Sequence, residues 1–391
     1  MAPMTSRERV RAALNHEEPD RVPIDMGTVA STINSTAYKR LVKKLGLTGE
    51  LERPDLNDPT DPSKNVTPSV EILEMYGVDT RSVQADAPID SQSMDTVQLN
   101  NYSYRDEWGV VWNRAETGPY MNKDGPFQKE GVTVADIERY PWPDPEEPHR
   151  TGSLRDRAKD LHENTDYAVV VSVGHSCVAP CQRLRGFAEW MEDLAFKPAL
   201  AEALLEQVTN VIVGSTIAIL RQAGPYADVV AFSDDLGFQD RAYFSKNMFR
   251  KQIKPYLARC VEAIRDNTDA KVVMHNDGAI YDLIPDLIDI GVDVINPVQT
   301  TAWKMEAGRL KADFGDNLAF WGAIDTQHAL PFGTPDDVRD DVKDKIRTLA
   351  PGGGYVLTSC HCIQEEVSAE NIQAMYESAL EFGSYDKLGT L

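Results

Sequence analysis

The chain has 391 residues, 42% of them hydrophobic, and a formal net charge of −22. That is enough apolar material for one large core, and so acidic a chain argues against non-specific binding to nucleic acid. No run approaches 18 apolar residues, the N-terminus has no apolar signal core, and five cysteines are too few and odd for a disulfide framework, so the chain reads as cytoplasmic, with no membrane or nucleic-acid partner.

In chain order, apolar positions at helical spacing predict a helix over 6–16, ended by Glu17-Glu18-Pro19-Asp20. Residues 21–27 read as a strand that stops at Asp25 and Gly27. The Asp-, Pro- and Asn-rich stretch 48–66 reads as loop, 70–76 as a short helix and 78–83 as a strand. Residues 85–150 hold Trp108, Trp112 and Trp142 and alternate polar with apolar side chains, the mark of small antiparallel strands decorating a larger domain. From 151 the chain alternates. Helix 151–162 precedes strand 167–173, helices fill 184–223, and strand 228–233 precedes helix 245–266. Strand 270–274 runs at once into helix 279–288, strand 292–296 into helix 303–313, strand 318–323 into helix 335–348, and strand 354–358 into helix 368–382. Eight strands alternating with helices imply parallel pairing and a (β/α)8 barrel, with 1–391 as one domain and an insertion at about 85–150. The rival is an open doubly wound sheet, which the absence of a Gly-x-Gly-x-x-Gly or Walker-type loop disfavours.

A barrel gathers the C-terminal ends of its strands at one mouth. That mouth would hold Asp25, His175, Asp235, His275, Asp277, Asn296, Gln299, Asp325 and the run Cys360-His361-Cys362. Residues i and i+2 of a strand point the same way, so His275 and Asp277 can converge on one metal ion, with Gly278 allowing the turn that follows. If the last strand stays extended, Cys360 and Cys362 share one face and His361 takes the other, so either a cysteine or the histidine reaches that ion. Structural roles compete. His275 can be a hydrogen-bonded strand end, Asp277 and Asp234-Asp235 can cap helices or turns, and the cysteines can be small buried residues. The stretch His175-Ser176-Cys177 with Cys181 leads into an arginine-rich helix and reads as pocket wall.

Several stretches resemble the uroporphyrinogen-decarboxylase-like family. They are Asn15-His16-Glu17-Glu18-Pro19-Asp20-Arg21-Val22-Pro23, Asp234-Asp235-Leu236-Gly237, His275-Asn276-Asp277-Gly278, Val294 to Gln299, Trp321 to Gln327, Pro351 to Leu357 and Ser368 to Met375. The resemblance implies the (β/α)8 barrel and one of two activities. Porphyrinogen decarboxylases carry an arginine-rich motif after the first strand; residues 25–31 here contain no arginine. The corrinoid-dependent methyltransferase branch has a His-x-Cys after one strand and another metal ligand after the last. His275 matches that histidine, Asp277 stands where the branch has cysteine, and Cys360, His361 or Cys362 falls at the last position. The resemblance therefore implies Zn2+ on three protein ligands, a methylcorrinoid carried by a separate corrinoid protein, and a small methylated substrate: a methoxyaromatic ether, a thiol or an amine. The other mouth carboxylates, Asp235 and Asp325, are expected to act as acid or base or to orient the substrate, and His175, Asn296 and Gln299, at the same mouth, to bind it. A Lewis acid on the heteroatom stabilises the charge that develops as cobalt(I) takes the methyl group. The tryptophans pack the insertion, and aromatic walls would also suit a methoxylated ring. The alternatives are a metal-free decarboxylase and a non-catalytic barrel that binds a small molecule. Family members often pair up, which makes a homodimer one expected assembly.

Overall fold

The computed structural model describes residues 3–28, 31–47, 65–85, 97–100, 103–113, 121–147 and 151–390. Seven parallel strands lie side by side in chain order: β1 (Thr80–Gln84), β2 (Ala168–His175), β3 (Val229–Ser233), β4 (Lys271–His275), β5 (Val294–Asn296), β6 (Ala319–Ile324) and β7 (Tyr355–Ser359). The eighth stave, expected as a strand over 21–27, is extended chain held by isolated bridges. It still joins the two edges: Asp25 N–H donates to Leu357 O, Leu357 N–H to Pro23 O, and Asp79 N–H to Ile24 O. Proline at 23 removes one donor from the ladder, which limits regular pairing there. The expected (β/α)8 barrel is what forms.

The period-2 pattern of each strand splits its side chains between two cores. Ala168, Val170, Val229, Ala231, Val273, Val294, Ala319, Trp321 and Val356 fill the barrel, and Val10 and Leu14 of the N-terminal helix Ser6–Leu14 plug its lower end. The intervening residues, such as Val230, Phe232, Val272 and Met274, pack against the surrounding helices. One of these, the long apolar helix Pro198–Ala223, meets the length and composition needed to cross a membrane, but its buried face lies on the barrel and the helix Lys254–Arg265.

Several boundaries differ from the expected ones. Gly186 at φ 90° and Pro198 break the 184–223 region, so that Val178–Arg185, Phe187–Phe196 and Pro198–Ala223 are separate helices. Pro255 removes a helix donor, and the chain opens into a π-turn over Phe249–Ile253 before Lys254–Arg265. After β4 the helix does not start at once: a 3-10 turn, Tyr281–Leu283, precedes Ile284–Asp289, whose start is fixed by Pro285. Asn65–Val66, expected as loop, pairs antiparallel with Ile33–Asn34; the rest of that stretch, 48–64, lies outside the described residues. The insertion forms a four-stranded antiparallel sheet of Val97–Asn100, Ser103–Arg105, Val111–Asn113 and Met121–Asp124, while 86–96 and 114–120 lie outside the described residues. Trp108 packs edge-on against Trp142 beneath it.

Asp25 shows how the closing stave is fixed. Its buried carboxylate accepts from Thr28 Oγ1 at 2.7 Å, Ser31 Oγ at 2.7 Å, Thr80 Oγ1 at 2.5 Å and Trp321 Nε1 at 3.0 Å. We predict that Trp321→Phe, which removes one donor from a buried charge, lowers stability by about 1–3 kcal/mol. A urea midpoint equal to that of the parent protein would contradict this role.

Candidate functional site

His275 has the same parity as Val273, so its ring points into the mouth of the barrel. Its Nδ1 lies 2.7 Å from Asn296 Oδ1, one strand away on β5. The Asn296 amide nitrogen points to Trp321 O at 3.4 Å, which assigns its oxygen to the histidine. Nδ1 is therefore the donor, which leaves Nε2 as the ring nitrogen that faces the mouth. That Nε2 lies 3.7 Å from Asp277 Oδ2, and His361 Nε2 lies 3.6 Å from the same oxygen. One ligand atom from each of His275, Asp277 and His361 falls within 4.8 Å of the other two. The side chains of Asp277 and His361 are 35% and 44% exposed, so the pair opens to solvent while His275 anchors the buried side.

Two turns hold these groups. A Cβ on Gly278, at φ 89°, would meet Gly237 O at 2.3 Å, so the tips Asp234–Gly237 and His275–Gly278 touch backbone to backbone. Asp277 N–H donates to Asp235 Oδ1 at 3.0 Å, and Gly278 N–H to Gln299 Oε1 at 2.7 Å. Burial, then the charge of Asp277, push the Asp235 carboxyl upward. Burial works against a charged His361, but Cys362, Asp277 and Asp235 outweigh it and push its imidazole up to about 9. Burial likewise opposes a Cys362 thiolate, yet His361 and Thr32 beside it bring the thiol down.

The other expected residues sit around this cluster in different ways. Cys360 stands apart from it, its thiol aimed at Val298 O at 3.1 Å, and Cys362 is 3.0 Å from Thr32 Oγ1. β7 ends at Ser359, so the strict alternation expected for 360–362 does not continue, and it is His361 that joins Asp277. Asp325 is taken up by its own turn: it accepts from Gln327 N–H at 2.7 Å and Ala329 N–H at 3.3 Å and lies 3.2 Å from His328 Nδ1. Asn296 orients His275, and Gln299 braces Gly278 and Gln239. Asp234 caps the helix after β2, accepting from Val178 N–H, Ala179 N–H and Ser176 Oγ. His175, exposed at the mouth, meets Ser233 Oγ through Nδ1 at 2.7 Å. Sequence reasoning missed Ser233 and Thr32, which carry no motif, and saw Arg183 only as part of an arginine-rich helix.

Two cavities open at this end of the barrel. One, of about 410 Å³, is lined by Asp277, His361, Gln299 and the two terminal cysteines. The other, of about 320 Å³, lies between the insertion and β2 and is lined by His175, Arg183 and Trp108.

Comparison with known proteins agrees with this architecture. The uroporphyrinogen decarboxylase (URO-D) family model matches residues 119–382. A uroporphyrinogen decarboxylase from Pelodictyon phaeoclathratiforme is 24% identical over 189 residues, 47% of this chain and 50% of the relative. One from Aromatoleum aromaticum is 25% identical over 180 residues, 45% and 47% of the two chains. The chain thus spans about half the length of the curated relatives it matches. A solved methyltransferase from Methanosarcina mazei shares the fold, with a TM-score of 0.65 and 20% identity, over 97% of this chain and 99% of that one. With the family model covering the insertion's last strand, the barrel from β2 to β7 and the closing helix, the chain belongs to the uroporphyrinogen decarboxylase family.

Proposed function

We propose that this protein is a metal-dependent methyltransferase that moves a methyl group between a small methylated substrate and the corrinoid of a separate protein. The observation that carries this reading is the His275, Asp277 and His361 donor set at the barrel mouth. Two imidazoles and one carboxylate suit Zn2+ and leave a fourth position for substrate. The Nε2 of His275, left open by the Nδ1 bond to Asn296, is placed to ligate such an ion. No sulfur belongs to the set, so it is a harder site than the cysteine-bearing one of the branch it resembles. A metal ion bound there would act as a Lewis acid on the substrate heteroatom and stabilise the charge that develops as the methyl group leaves.

The chain's own residues complete the chemistry. Asp235, its carboxyl raised and bonded to the Asp277 backbone, can hold the proton that the released heteroatom takes up or loses. Gln299, through Gly278, keeps the turn that bears Asp277 in place. Decarboxylation is the second reading, supported by the names of the curated relatives. Against it, the stretch 25–31 has no arginine for substrate carboxylates, and Asp25 is spent on internal hydrogen bonds.

The test is incubation of the zinc-loaded protein with free cob(I)alamin and methoxyaromatic, methylthiol and methylamine donors, following the loss of the cob(I)alamin spectrum. Methylcobalamin formation with one donor class supports the reading; none with any donor, alongside decarboxylation of uroporphyrinogen, overturns it. Asn296→Ala is expected to weaken zinc binding about 10–100-fold, because the His275 tautomer is no longer fixed. A zinc titration with a competing chelator measures this, and an unchanged affinity would remove Asn296 from the account.

A further inference from the structure

We infer that the cavity between the insertion and β2 binds the carboxylate of an aromatic acid through Arg183; this deepens the methyltransferase reading by naming its substrate class. Arg183 lies on the helix Val178–Arg185 and lines the cavity. Among the described residues no carboxylate comes within ion-pair distance of it, and no hydrogen bond engages its guanidinium. The acids whose field reaches it are Asp234, Asp106 and Asp235. Each has other work. Asp234 accepts from Ser176, Val178 and Ala179; Asp106 accepts from Trp108 N–H, Val110 N–H and Trp112 Nε1; Asp235 accepts from Asp277 N–H. A guanidinium with five donors and no protein acceptor, facing a cavity, is a site for an external anion.

The rest of the lining selects the anion's body. Trp108, Leu184, Ile212 and Ile219 supply apolar walls, Asp106 and Glu107 also line the cavity, so that Arg183 is the group that must hold an anion there, and a volume of about 320 Å³ suits one ring. Trp112 lies under the guanidinium, 5.2 Å from ring centroid to Cζ, and holds it in place. His175 and Ser172 border the cavity on the side of the metal cluster. His175 and His275 both pair with Ser233 of the strand between them, which puts them two strand spacings, about 10 Å, apart. An aromatic acid seated on Arg183 would thus lie on the His175 side of the mouth, with the cluster beyond His175.

Calorimetric titration of the full chain with 4-methoxybenzoate, benzoate, methoxybenzene and acetate tests this. The two aromatic acids are expected to bind, with methoxybenzene and acetate each at least about tenfold weaker. Arg183→Met should lower benzoate affinity about tenfold or more at an unchanged thermal midpoint, and Arg183→Lys should recover part of it. His275→Ala should leave benzoate binding within about threefold, since the anion end lies away from the metal ligands. Equal binding of methoxybenzene or acetate, benzoate affinity unaffected by both Arg183 variants, or its loss in His275→Ala would each overturn the inference. Benzoate binding that survives while no methyl transfer occurs would sink the methyltransferase reading and leave the Arg183 site standing.

Discussion

Replacing either His275 or His361 with alanine is expected to abolish methyl transfer, with a fall on the order of 10³-fold or more. Each histidine offers one of three possible ligand atoms that lie within 4.8 Å of one another. Lewis-acid stabilisation contributes several kcal/mol at the transition state, and each ~1.4 kcal/mol is a factor of ten in rate. The double variant should be little worse than either single one, because residues that hold one ion act as a unit. Cys360→Ala, by contrast, removes a thiol bonded to Val298 O and should leave the rate within about fivefold. The discriminating experiment is the cob(I)alamin assay on all four proteins. Near-parent activity in His361→Ala with loss in Cys360→Ala would show that sulfur, not imidazole, completes the site.

The second large effect concerns folding. Asp79→Ala is expected to cost about 3–5 kcal/mol, because it leaves buried cations without their anion. The Asp79 carboxylate is fully buried. It accepts from Arg9 Nη1 at 2.7 Å, from Arg21 Nη1 at 2.8 Å and Nη2 at 3.0 Å, and from Ile24 N–H at 2.8 Å. One side chain thus ties the N-terminal helix, the closing stave and the start of β1. Asp20 retains part of Arg9 through 2.6 and 2.8 Å contacts, which keeps the loss below that of a wholly orphaned pair. Guanidinium unfolding would read the change. A loss under 1 kcal/mol would mean that the Asp79 ion pairs contribute little to holding the three elements together.

The barrel was legible because its signal is repeated and local. Strands such as Val229–Ser233 and Lys271–His275 are short apolar runs between amphipathic helices, and in the fold their alternate residues divide between the barrel interior and the helices. The convergence of His275 and Asp277 was expected from the same i, i+2 alternation, two and four residues past Val273. The signal failed where the chain leaves regular structure. Beyond Ser359 the backbone no longer alternates, so the choice among Cys360, His361 and Cys362 depended on contacts with Val298 and Thr32, far away in the chain. Asp325, expected among the mouth carboxylates, also caps its own turn, a role that depends on the backbone after β6. Arg183 was hidden for a different reason. An arginine on an amphipathic helix is ordinary; what distinguishes this one is that Asp106 and Asp234, both near it in space, are already engaged elsewhere.

The central claim is that His275, Asp277 and His361 hold a catalytic metal ion, and metal content measures it most directly. Elemental analysis of the full chain after zinc loading and exhaustive dialysis, beside the His275→Ala variant, is predicted to give about one zinc per chain in the parent and almost none in the variant. A parent protein that retains no metal, or a variant that retains as much as the parent, would contradict the account.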